Sequence, residues 1–122
     1  MYRITIEKSI SSAHCLRQYE GKCRELHGHN WNFQVTIEAD QLDSLGMVLD
    51  FGVVKRHLAD LLEPFDHKLL NDVPPFDRLN PTAENISSFV FDELSKRLNT
   101  DRVKVMSVKT WETPTNVAEY HR

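Results

Sequence analysis

His27 and His29 close the run Cys23-Arg24-Glu25-Leu26-His27-Gly28-His29. On extended backbone, two histidines spaced this way project to one side, where a single metal ion can reach both rings. A third imidazole must come from elsewhere. His14 ends an alternating run and shares the parity of Ile4, Ile6 and Ile10, so it meets the other two if the two segments pair as strands. Three neutral imidazoles suit zinc and leave a fourth tetrahedral position for water or substrate, which favours catalysis over structure. Cys23 admits two readings. Its thiolate could be the fourth ligand of a closed structural site, or a catalytic group whose ionised form is favoured by a nearby divalent ion and by Lys22 and Arg24.

Two further polar groups could join that chemistry. In Asp66-His67 a carboxylate can steady an imidazole that titrates near neutrality and serves as general acid or base; the same dipeptide also reads as an ordinary turn. Glu112 follows Trp111, where a carboxylate beside an aromatic wall could accept two parallel hydrogen bonds from an amidine-like group, or could simply be a solvated strand end. His57 and His121 have weaker cases.

The elements that must position these groups are legible as periodicities. Residues 2–10 and 29–39 alternate apolar and polar side chains, the pattern of half-buried strands. Asp50 can cap a helix carrying Phe51, Val54, Leu58, Leu61 and Leu62 on one face, ending at Pro64. Residues 64–81 hold four of the five prolines, a long connection of the kind that often carries function. A second helix is expected from Thr82, through Ile86, Phe89, Val90, Leu94 and Leu98, to about Asn99. Val103 to Trp111 and Val117 to Tyr120 read as two strands joined across Thr113-Pro114-Thr115. The order ββααββ gives an α+β fold, two helices on a four-stranded antiparallel sheet, whose edges call for cover or oligomerisation.

The totals bound the rest. At 122 residues and 40% hydrophobic content, residues 1–122 are expected to form a single domain. A net charge of -3 without a basic run argues against nucleic acid as a partner. No stretch nears the ~18 apolar residues of a membrane span, and the N-terminus lacks a charged start followed by an apolar block, so a cytoplasmic protein with no membrane partner is expected. Without an export signal, Cys15 and Cys23 read as free thiols.

Taken together, Ser12-Ala13-His14, the Cys23 to His29 run, Asp66-His67, Pro81-Thr82-Ala83-Glu84-Asn85 and Trp111-Glu112-Thr113 resemble the 6-pyruvoyl- and 6-carboxy-tetrahydropterin synthase family, in order and over nearly the whole chain. The four-residue step from Cys23 to His27 looks like the bacterial 6-carboxy branch. The resemblance implies a tunnelling fold, with three sheets joined into a barrel and two trimers stacked as a homohexamer, and active sites between subunits. It implies zinc on His14, His27 and His29, Cys23 as general base, Asp66 and His67 in proton transfer, and Glu112 anchoring the pterin ring. The implied substrate is 7,8-dihydroneopterin triphosphate, converted with water to 6-carboxy-5,6,7,8-tetrahydropterin, acetaldehyde and triphosphate on the way to queuosine. Formation of 6-pyruvoyl-tetrahydropterin, or a non-catalytic zinc-binding assembly protein, are the competing readings. Ile10 and Ser12 stand where the family more often has Phe and Ala, and Cys15 where it often has Arg.

Overall fold

A computed structural model describes residues 1–18 and 23–122, and of Cys23 and Arg24 the backbone alone. Both expected N-terminal strands are present and longer than the alternation suggests: β1 spans Tyr2–Arg17 and β2 Cys23–Ala39. They pair antiparallel from Tyr2↔Ala39 to Arg17↔Cys23, and this register sets His14 directly opposite His27. The sequence places the strand boundaries too far inward because residues beyond them, His14 and Gly28 among them, interrupt the apolar alternation without interrupting the ladder.

The helices form where capping and spacing put them. α1 (Phe51–Leu62) is capped by Asp50, whose carboxylate accepts from the Gly52 amide, and it stops as the chain enters a 3-10 turn at Glu63–Phe65 containing Pro64. α2 (Ala83–Leu98) is capped by Thr82 accepting from the Asn85 amide, with Glu84 in its positive first turn and Lys96 and Arg97 in its last. β3 (Val103–Thr113) and β4 (Asn116–His121) complete a four-stranded antiparallel sheet in the order β1-β2-β3-β4. The core lies between one sheet face and the helices, with Trp31, Phe33, Val35 and Ile37 of β2 against Val54 and Leu58 of α1 and Val90 and Leu94 of α2.

One irregularity matters for the site. Val103 and Val105 are buried, but between Thr36 and Ile37 the register of β2 with β3 shifts, and beyond it Ser107, Val108 and Thr110 are buried. A bulge inserts one residue and reverses which parity faces inward. Glu112 thereby lands on the same face as the core, two residues past Thr110.

The proline-rich connection has a structural reason to exist: it covers the outer edge of β1. The Ser11 amide donates to Asp66, the His67 amide to the Ser11 carbonyl, and the Ala13 amide to the Lys68 carbonyl. Asn71 then pairs with Cys15 in both directions, accepting from its amide at 2.9 Å and donating to its carbonyl at 2.8 Å, and Asn80 does the same for Arg17. Side-chain amides therefore continue the ladder as a neighbouring strand would. Replacing Asn71 with Ala leaves a buried donor and acceptor of Cys15 unpaired, at roughly 1–3 kcal/mol each, so a loss of about 2–6 kcal/mol is expected. Urea unfolding should show a lower midpoint at unchanged slope.

Cys15 is buried and disulfide-bonded, which corrects its reading as a free thiol. Thiol count says nothing about which segments a sheet brings together. Among the described residues, no helix is long and apolar enough to cross a membrane.

Candidate metal centre

His14 and His27 meet across the β1–β2 ladder, and His29 lies one pair further along, opposite Ser12. All three side chains are on the sheet face that carries Ile10 and Trp31. Nε2 of His14 is 3.0 Å from Nε2 of His27, and the three rings stand edge to face with centroids 4.6 to 5.1 Å apart. Trp31, fully buried, walls both His14 and His29, and its indole N–H is held by the Ser12 carbonyl.

Glu112 joins this group. Its Oε1 lies 3.1 Å from Nε2 of His14 and 3.0 Å from Nε2 of His29, and one donor atom from each of the four residues falls within 4.8 Å of the others. The sequence reading assigned Glu112 to a pterin and missed its approach to the histidines, because the bulge in β3 that turns it inward leaves no mark in the apolar pattern.

Ring orientation is fixed from behind. Nδ1 of His14 is 2.8 Å from the Pro81 carbonyl, and Nδ1 of His27 is 2.9 Å from the Glu25 carbonyl. A carbonyl can only accept, so each Nδ1 carries the proton and each Nε2 presents a lone pair toward the shared centre. The Pro81-Thr82-Ala83-Glu84-Asn85 motif serves this purpose: Thr82 caps α2, and Asn85 ties back to the Asn80 carbonyl, which seats Pro81 against His14.

The donor set fits a metal ion. Nε2 of His29 is buried and has no hydrogen bond of good geometry, although Glu112 is 3.0 Å away. Burial lowers the pKa of His29 despite the opposing pull of Glu112, which keeps the ring neutral and ligand-competent near pH 7. A tetrahedron with bonds of ~2.0–2.1 Å has edges of about 3.3–3.4 Å, and the close donor pairs here stand 3.0 to 3.1 Å apart.

Asp66 and His67 lie on the segment held against the edge of β1 at Ser11. Asp66 is half-buried and His67 exposed; Oδ1 of Asp66 accepts from the Ser11 amide and lies 3.0 Å from Nδ1 of His67. The Ser11 N–H, with His67 second, holds the Asp66 carboxyl below the usual carboxylate range, so it stays ionised. His67 has φ 58, a left-handed conformation that costs a residue with a side chain free energy and persists because Ser11 grips the segment on both sides. Ser11, Gly28, His29, Asn30, His67 and Lys68 line one open depression of about 450 Å³. Ser12, a departure from the family pattern, donates its hydroxyl to the buried Phe65 carbonyl and helps seat this segment. The side chains of Cys23 and Arg24, and all of Lys22, the latter two invoked to favour the Cys23 thiolate, lie outside the described residues; the backbone of Cys23 pairs with Arg17.

Comparison with known proteins agrees with this architecture. Residues 3–122 match the 6-pyruvoyl tetrahydropterin synthase family. The 6-carboxy-5,6,7,8-tetrahydropterin synthase of Synechocystis is 38% identical over 98% of this chain and 93% of its own length. The enzyme of that name from Haemophilus influenzae is 32% identical over 98% and 99%. Among solved structures, the Caenorhabditis elegans 6-pyruvoyl tetrahydropterin synthase superposes with a TM-score of 0.80 at 29% identity, covering 100% of this chain and 97% of that one. A covered fold, a cluster of metal-competent donors and this likeness over the full length lead to one assignment: the chain belongs to the 6-pyruvoyl tetrahydropterin synthase family.

Proposed function

We propose that this protein is a zinc-dependent 6-carboxy-5,6,7,8-tetrahydropterin synthase, a lyase that converts 7,8-dihydroneopterin triphosphate and water to 6-carboxytetrahydropterin, acetaldehyde and triphosphate for queuosine synthesis. The observation that carries this reading is the group of metal-competent donors, one atom each from His14, His27, His29 and Glu112 within 4.8 Å of one another. The relatives named for the 6-carboxy reaction support the choice of product.

On this reading His14, His27 and His29 hold the zinc, and when bound it supplies positive charge that acidifies the substrate's side-chain hydroxyls. Cys23 removes a proton as its thiolate. His67, held by the ionised Asp66, hands a proton to or from the reacting carbon chain. Glu112 accepts two parallel N–H bonds from the amidine-like edge of the pterin. The working form is a hexamer built of two trimers, with substrate sites between subunits. In support, the connection covers β1 only from Ser11 onward, and β4 is the other edge of the sheet.

The test is to incubate metal-analysed protein, under reducing conditions and before and after chelation, with 7,8-dihydroneopterin triphosphate. Products are identified by mass spectrometry together with an acetaldehyde assay. Zinc-dependent 6-carboxy product with equimolar acetaldehyde is expected. A 6-pyruvoyl product without acetaldehyde would assign the sister reaction, and tightly held zinc without turnover would make the protein a non-catalytic metal-binding assembly.

A further inference from the structure

We infer that Glu112 is a fourth metal ligand in the substrate-free protein, so that the coordination position left by the three histidines is closed until this carboxylate moves. Three observations carry it. Oε1 of Glu112 is within 3.1 Å of two histidine Nε2 atoms at once, yet Nε2 of His29 has no hydrogen bond of good geometry and Nε2 of His14 faces Nε2 of His27. Neutral Nε2 lone pairs and a carboxylate lone pair repel one another, and a cation between them is what reconciles that approach. The tautomers of His14 and His27 are already fixed by the Pro81 and Glu25 carbonyls, so Glu112 is not required to orient those rings. Finally, Glu112 lies where the β3–β4 register shifts between Trp111 and Thr113, and its side chain is 30% exposed, which leaves it room to withdraw.

The inference rests on the proposed reading in one respect only: there, the same carboxylate meets the pterin once it has left the metal. Binding of pterin and the opening of the metal site would then be a single movement, and the metal would not present an activated position to bulk water beforehand.

The experiment uses the metal alone. Wild type and Glu112→Gln are stripped, checked for equal thermal stability without metal, titrated with zinc against a chelator indicator, and loaded with cobalt for visible absorption. Glu112→Gln should bind zinc about 100-fold more weakly, the upper end of what loss of a merely supporting carboxylate costs, and its cobalt spectrum should change in position and intensity. Glu112→Asp, which keeps the charge on a shorter arm, should fall between the two. Equal zinc affinity with superimposable cobalt spectra would overturn the inference. So would a zinc loss matched by an unchanged spectrum, since that is the behaviour of a residue acting through the histidines. Neither measurement requires turnover, so a failure of the proposed reaction in wild type leaves this result standing.

Discussion

His27→Ala is expected to strip both metal and activity: dialysed protein should hold close to no zinc, and turnover of 7,8-dihydroneopterin triphosphate should fall by at least about 10³-fold. The magnitude follows from the several kcal/mol that a metal ion contributes to stabilising developing charge, at ~1.4 kcal/mol for each tenfold in rate. His27 is the informative ligand to remove because it is exposed, whereas His14 is 1% exposed and packed against Trp31, so that His14→Ala would also open a cavity. The metal-free variant should therefore unfold within about 1 kcal/mol of metal-free wild type, which separates loss of site from loss of fold. Zinc content by mass spectrometry and turnover should fall together across a zinc titration. Full turnover in protein shown to lack zinc would remove the metal from the proposed mechanism.

The three histidines could be grouped from sequence because strand pairing converts parity into proximity. His27 and His29 share a parity, His14 shares one with Ile6 and Ile10, and antiparallel pairing of two alternating segments does the rest. Capping residues likewise announced both helices. Glu112 was different. Its approach to His14 and His29 depends on the one-residue bulge opposite Thr36 and Ile37, and a bulge leaves the composition of a strand almost unchanged while exchanging its two faces. The left-handed backbone of His67 was equally silent, since it is imposed by the grip of a distant strand on that segment and not by any local glycine or asparagine. The same limit hid the purpose of Asn71 and Asn80. As letters in a proline-rich stretch they mark turns, and only the edge of β1 shows them acting as substitute strand. Long-range register, more than local propensity, separates what could be read from what could not.

Cys23→Ala should lower turnover by about 10²–10⁴-fold, the range a positioned proton-transfer group contributes, while leaving zinc affinity within about threefold of wild type. The two halves of this result distinguish the readings that the sequence left open. A thiolate that completes a closed metal site takes the zinc with it when it is removed; a thiolate that carries a proton does not. The presence of Glu112 among the donors bears directly on the outcome, for if its carboxylate fills the fourth position the metal has no need of sulfur. Cys23→Ser sharpens the measurement, since a hydroxyl of similar shape is a far poorer base at neutral pH, and activity should stay low although the volume is conserved. All assays belong in reducing buffer, because only a free thiolate can accept the proton. Combining Cys23→Ala with Glu112→Gln then apportions the metal affinity. If sulfur plays no part in binding, the double variant should hold zinc no more weakly than Glu112→Gln alone, and a further large loss would return Cys23 to the ligand set and with it the structural reading of the site.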